Sequence, residues 1–309
     1  EVTNSMFSTW YPLLRHSTFK SAVLKPLAPE FLSYLQTDGI FLPDNEATPQ
    51  YGSRIDAVDS DSDWSDDEPD VHVNLDSTSA EIRSALKELG GSVFPRMNWS
   101  APSDAMWMAT GNTLQCFSAS EVYLLLKSSD KITRDLVGAR YEGVAVSVEP
   151  ELVLRQWCNL LPSMEFRCFV REQELVAVSQ IDLQHYEFLE DMAALIADKI
   201  SAFFQDKIRE VFPSTSYCFD VYVTRNMDQV YVIDFEPWTH SVDSGLFGWQ
   251  ELVQAAGFLG LRLFPKNVNA LAHFSGKYSQ SRFPVELTAD AYQKSMADLI
   301  EKMAAGTAS

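Results

Sequence analysis

Basic residues are scarce in this chain: 24 Lys and Arg stand against 43 Asp and Glu in 309 residues, a formal charge of −19 at pH 7. Nucleic acid and anionic membrane surfaces repel such a molecule before local contacts form, so neither is the expected partner. A protein surface with a basic patch suits it better. Cysteine is scarce too. Cys116, Cys158, Cys168 and Cys218 show no CxxC spacing and sit among apolar or aromatic neighbours, the pattern of reduced core thiols and not of a disulfide framework. No run approaches the about 18 apolar residues of a membrane span, and the first residues lack the basic-then-apolar form of a signal peptide. The chain opens on Glu1 and not Met, which leaves an upstream address open; the expected location is cytoplasmic. There is no GxxxxGK[ST], no GxGxxG after a strand, no GxSxG and no HExxH. His16, His72, His185, His240 and His273 are scattered, which argues against a histidine metal site or triad.

What is present is a chain rich enough in apolar residues, 46% of the total, to bury a real core in one large domain or two lobes. The spacing predicts a short helix near 28–37. A capping box, Thr78-x-x-Glu81, precedes Ile82, Ala85, Leu86 and Leu89, and Gly90-Gly91 stops that helix. Extended runs follow at 92–96 and 105–109, then an apolar helix at 120–127. Residues 152–155, 165–171 and 175–181 read as strands, the last two joined at hairpin distance by Glu172-Gln173. A long amphipathic helix spans about 188–211, and two more strands, 217–224 and 229–235, flank the turn 225–228. Hairpins and helices in this order predict an α+β fold with antiparallel sheets.

The charge is unevenly placed. Residues 56–70 hold eight acidic residues and no Lys or Arg, leaving −11 for the rest of the chain. Apolar density collapses from Pro43 to about Ser77, so this reads as a mobile acidic loop, either simply solvated or phosphorylated at Ser60, Ser62 and Ser65 by an acid-directed kinase. Near the end, Tyr292, Met296, Leu299, Ile300 and Met303 predict a helix over 289–304 that packs on the body or meets a partner.

Chemistry concentrates in two constellations. Asp220, Asp234 and Glu236 are acids within otherwise apolar strands, and Asp234 and Glu236, two apart, share a sheet face. Buried acids without cations are costly, and hard oxygen ligands at this spacing suit Mg²⁺ held jointly with phosphates. Alternatively, Asp220 caps a turn and Glu236 faces water. Arg155 and Arg167 lie on strands inside apolar sequence, and Arg96 follows Val93-Phe94-Pro95. Arg155 and Arg167 are each either the ion-pair partner of a neighbouring Glu or a ligand for an anion, and Arg96 is a third candidate. Three arginines and three carboxylates together are the parts of a site for Mg²⁺ and a nucleotide.

Five segments in order, Gly90 to Pro102, Leu125 to Asp130, Glu151 to Trp157, Glu165 to Val170 and Val232 to Pro237, resemble the cell division cycle protein 123 (D123) family. The resemblance runs from Trp10-Tyr11-Pro12 to about Leu252 and includes Trp64-Ser65-Asp66-Asp67-Glu68. It implies an ATP-grasp-like fold in which two α+β lobes hold ATP between them, and a role as cytosolic assembly chaperone of eukaryotic translation initiation factor 2. The implied partner is the gamma subunit, to which the alpha and beta subunits are then joined. By motif, Asp220, Asp234 and Glu236 would hold Mg²⁺. Arg96 would contact phosphate, Asn98, Trp99, Ala101 and Asp104 would border the nucleotide from the first lobe, and Arg155, Trp157 and Arg167 would line it from the second.

Two departures stand out. The family usually has Lys where this chain has Arg96, which turns a point donor into a planar fork, and Asn where it has Glu236, which adds a charge to the metal site. Arg96 also speaks against lysine-linked nucleotidyl transfer. The expectation is an N-terminal lobe over 1–148 with the acidic loop at about 44–77, a C-terminal lobe over 149–309, and a monomer without catalytic residues. The alternative is an ATP-grasp-type ligase or kinase acting on a small molecule or peptide.

Overall fold

The structure is a computed structural model and describes residues 1–43, 46, 73–109, 111–138 and 148–266. The acidic run 56–70, its three serines and the helix expected at 289–304 lie outside the described residues.

In chain order the elements are α1 (Phe7–Leu14), β1 (Ser21–Leu24), α2 (Pro29–Gln36), α3 (Asp76–Glu88), β2 (Val93–Arg96), α4 (Ala119–Lys127), α5 (Asp130–Leu136), β3 (Leu152–Gln156), β4 (Glu165–Arg171), β5 (Glu174–Gln180), α6 (Glu187–Phe203), β6 (Tyr217–Val223), β7 (Val230–Pro237), α7 (Trp249–Gln254) and β8 (Leu261–Arg262). They form a three-stranded sheet in the order β1-β3-β2 and a five-stranded sheet in the order β7-β6-β4-β5-β8. Pairing is antiparallel for β2–β3 and through β5–β4–β6–β7, with β8 parallel to β5, so the fold is α+β as the sequence predicts.

The described residues gather into two compact units, one within Ala22–Val137 and Glu149–Trp157, the other of Glu1–Ser21, Gly138, Val148 and residues 158–266. Neither is continuous, so they do not follow the expected lobes 1–148 and 149–309. Residues 152–156 join the first unit because β3 pairs with β2. The amino-terminal turn joins the second because Trp10 packs on Phe235 at 5.3 Å between ring centroids and Thr18 bridges Val232.

Around the three-stranded sheet, α3 begins at Asp76, two residues before the predicted capping box, and Thr78 has no capping role. Asn74 makes the start instead: its Oδ1 accepts from Asp76 N at 2.9 Å. Ser79 and Tyr123 share a buried hydroxyl contact at 2.9 Å. The helix stops as predicted. Gly90 and Gly91 have φ of +89° and +90°, and Gly91 N donates to Leu86 O, closing a Schellman motif that only glycine enters without strain. The capping box the fold does use is Ser118 with Glu121, at the start of α4. The extended run predicted over 105–109 is a 3₁₀ turn, Ser103–Met108, because Pro102 starts a local bond from Ala105 N to its carbonyl, 3.0 Å long, that a strand would not make.

In the five-stranded unit the predicted hairpin is present. Glu172 and Gln173 both take positive φ, the geometry of a two-residue loop that follows strand twist, and Gln173 N is held by Thr215 O at 2.7 Å. Alternation sorts β4, β6 and β7 into two faces. Phe166, Phe219, Val221, Val232 and Phe235 point into a core that Phe204, Phe212, Ile196 and Ile200 complete from the helix side. Phe212 stacks on Phe235 with centroids 4.1 Å apart, worth about 0.5–1.5 kcal/mol beyond its buried area. Helix α6 is shorter than predicted and passes into a π turn over Phe204–Ile208, which turns Phe204 and Ile208 inward.

Candidate functional site

The opposite face of the five-stranded sheet carries the acids. Register places Arg262, Ser179, Arg167, Asp220 and Asp234 in one row across β8, β5, β4, β6 and β7. Glu236 lies two residues further along β7, opposite Cys218. A bulge at Ile233, where Asp220 faces Asp234 but Val221 faces Val232, lets the acids lie on this face while Val232 and Phe235 fill the core.

Arg167 is the hub of that row. Its Nε and Nη2 donate to the two oxygens of Asp220 at 2.8 and 2.7 Å, a parallel fork. Its Nη1 donates to Asp243 O at 3.0 Å, with the Asp243 carboxylate at 3.8 Å. The side chains of Arg167 and Asp220 are 14% and 13% exposed, so the pair is largely withdrawn from water. Burial works against the cation, but Asp220, with Asp243 and Glu236 behind it, outweighs burial and holds the Arg167 pKa well above its ordinary value. The neighbouring thiols are raised as well: burial, with Asp220, raises Cys168, and burial raises Cys218. The cation that the sequence of β6 and β7 lacks therefore comes from β4. Of the two roles open to Arg167, the ion pair is realised, with Asp as the partner.

Asp220, Asp234 and Glu236 share a face and offer hard oxygen donors, which fits Mg²⁺ in kind. Among the described residues, no group of three or more His, Cys, Asp or Glu is disposed to hold a metal. The reason is visible at Asp220, where both carboxylate oxygens are turned to Arg167. Asp234 has Oδ1 shielded from solvent beside it.

The other seven expected nucleotide residues lie in the three-stranded unit. Arg96, at the end of β2, is buried and turns its guanidinium to Trp99 O and, at 3.4 Å, Met97 O. Register puts Phe94 opposite Arg155 and Arg96 opposite Val153, so two buried guanidiniums lie diagonally on one face of the β2–β3 pair. Asn98 staples the approach to β3, donating to Glu149 O and accepting from Glu151 N, both at 2.9 Å. Trp99 is buried, Ala101 is half-buried, and Trp157 packs on the core while its N donates to Ser92 O at 3.1 Å. Asp104 takes the hydroxyl of Ser129 and the N–H of Lys131, tying the 3₁₀ turn to the start of α5.

Two groups escape sequence reasoning. Asp135 is buried and accepts from Trp99 N (3.1 Å), Ser100 N (2.6 Å) and Ser100 Oγ (2.8 Å), so it holds the Asn98–Ala101 turn in shape. Its signal was an acid in the last turn of a helix, where the dipole disfavours it and another partner must hold it. The second is the turn Asp243–Leu246 over Ser179. Gly245 has φ +59°, and a Cβ there would stand 2.5 Å from Ser179 Oγ. Asp-Ser-Gly was the available turn signal.

The D123 family model matches residues 10–291. Cell division cycle protein 123 from Aspergillus terreus is 39% identical over 275 residues, covering 84% of this chain and 65% of that protein. A protein named translation initiation factor eIF2 assembly protein, from Aspergillus fumigatus, is 38% identical over 274 residues with the same coverage. The chain thus spans about two thirds of the length of these curated relatives. Among solved structures, Cdc123 from Schizosaccharomyces pombe superimposes with a TM-score of 0.69 at 35% identity, covering 85% of this chain and 96% of that one. A C-terminally truncated form of it gives 0.70 at 34%.

Proposed function

The chain belongs to the D123 family, and from that premise we propose that it is an ATP- and Mg²⁺-binding assembly protein for eukaryotic translation initiation factor 2. The observation that carries the proposal is its 38% identity over 274 residues to a protein named for eIF2 assembly. In this reading it works in the cytoplasm as a monomer, captures the gamma subunit, and so promotes joining of alpha and beta. No helix among the described residues is long and apolar enough to cross a membrane. The acidic balance of the chain suits a basic protein surface.

The site chemistry supports an ATP-grasp-like nucleotide role. Arg96 and Arg155 bring two permanent charges with planar donors to one sheet face, an arrangement matched to phosphate oxygens. Asn98, Trp99 and Ala101 belong to a turn braced by Asp135, and Asp104 is tied to the start of α5 by Ser129 and Lys131, so their positions are set before any ligand arrives. Trp157 and Arg167 would complete the lining. Asp234 and Glu236, with the remaining lone pairs of Asp220, would hold Mg²⁺, which when bound neutralises phosphate charge.

Calorimetric titration with ATP and Mg²⁺, alongside capture of purified gamma subunit, tests the reading. Asp234→Ala is expected to weaken ATP binding and gamma-subunit capture together. Unchanged ATP affinity in that variant removes the site assignment, and absence of capture by the parent chain removes the assembly role.

A further inference from the structure

The geometry points to Ser179, Asp243 and Gly245 as positioning residues that set, through Arg167, how the Asp220 carboxylate is presented to a cation. The inference rests on the Mg²⁺ reading above and adds a layer to it. Three neighbouring strands each send one side chain to the backbone of the turn 243–246. From β8, Arg262 Nη1 donates to Leu246 O at 2.8 Å. From β5, Ser179 Oγ accepts from Leu246 N at 2.9 Å. From β4, Arg167 Nη1 donates to Asp243 O at 3.0 Å. Asp243 Oδ1 closes the turn on Gly245 N at 3.1 Å.

The guanidinium is planar and rigid, so its edges cannot move independently. One edge is fixed by the turn, and the other, Nε and Nη2, therefore meets Asp220 in one orientation. The height of the turn above the sheet is set at Gly245, which has room for a hydrogen and nothing more over Ser179: an added Cβ would lie 2.5 Å from Oγ and 2.9 Å from Cβ of that residue. Raising the turn withdraws Asp243 O from Arg167, and the fork then turns on Asp220. Outer residues that orient a metal-binding carboxylate are typically worth about 10–100-fold in metal affinity.

Two measurements on the full chain test this. The first needs no ligand: the Arg167 Nε–H signal in a ¹H–¹⁵N spectrum, assigned by its loss in Arg167→Lys, should shift and exchange faster in Gly245→Ala. Ser179→Ala, which leaves Leu246 N without its side-chain acceptor, should shift it in the same sense. Asp243→Asn, which keeps an Oδ1 acceptor for Gly245 N, should resemble the parent more than Asp243→Ala does. The second is calorimetric ATP titration at several Mg²⁺ concentrations. Gly245→Ala should lose at least about tenfold in Mg²⁺ affinity, and Ser179→Ala should lose affinity in the same direction. If Gly245→Ala does not fold, Ser179→Ala and the Asp243 pair carry the same comparison. An unmoved Arg167 signal, or parent-like Mg²⁺ dependence in folded Gly245→Ala or Asp243→Ala, overturns the inference while leaving the nucleotide reading intact. A parent chain without Mg²⁺-dependent ATP affinity overturns that reading, and with it the ligand consequence drawn here.

Discussion

Replacing Asp220 by Asn keeps the shape of the side chain and removes the charge that balances Arg167. Because that pair is 13–14% exposed, its charges are screened little by solvent. Breaking a buried pair from one side costs about 3–5 kcal/mol, since the remaining charge stays buried. Arg167 would keep Asp243, through the carbonyl at 3.0 Å and the carboxylate at 3.8 Å, so the lower end applies, about 3 kcal/mol. That corresponds to about a hundredfold faster opening, read as hydrogen exchange of β4 and β6 amides, which belong to the core of the five-stranded unit. The double change Arg167→Met/Asp220→Leu removes both charges together and should cost less than Asp220→Asn alone. Loss of less than about fivefold in protection, or a double variant no better than the single, would refute the claim that Arg167 and Asp220 depend on each other.

Other expectations concern the supporting structure. Asp135→Ala strands two buried N–H groups and a hydroxyl, each worth about 1–3 kcal/mol, so exchange across Met97–Ala101 should rise steeply while β4 and β6 are unaffected; uniform protection would contradict the bracing role. Cys116, Cys168 and Cys218 are buried with thiol pKa values pushed up by burial, so at pH 8 a thiol reagent should label half-buried Cys158 first and the other three only on unfolding. Burial pushes the Tyr123 hydroxyl up to about 12 from 10.0. A raised folded value means that stability from the neutral hydroxyl is fully present below pH 10 and is lost as pH climbs from about 10 to about 12. A Tm that stays flat across that window would contradict it.

Much of the fold was legible because hydrophobic period and turn chemistry agreed. The hairpins at 172–173 and 225–228, the helix stop at Gly90-Gly91 and the four antiparallel strands of the acid-bearing sheet are local properties of the residues. Failures came where long-range packing decided. Thr78 and Glu81 matched a capping box, but Ser79 is wanted by Tyr123 and the helix begins earlier; residues 105–109 had strand composition but no strand to pair with. The candidate site divides the same way. Alternation put Asp234 and Glu236 on one face. That Arg167 would stand beside Asp220 depends on the β4–β6 register, which no single segment encodes. Asp135 and the turn at 243–246 act through distant backbone groups, and their residue types alone carry only weak signals.

In the proposed function this chain assists assembly of eukaryotic translation initiation factor 2 with ATP and Mg²⁺ bound. Purified alpha, beta and gamma subunits, mixed with and without the chain and ATP·Mg²⁺ and resolved by size, test it most directly. The account predicts that heterotrimer yield rises when the chain and ATP·Mg²⁺ are both present, and less so with Asp234→Ala. A yield that the chain does not change would contradict it.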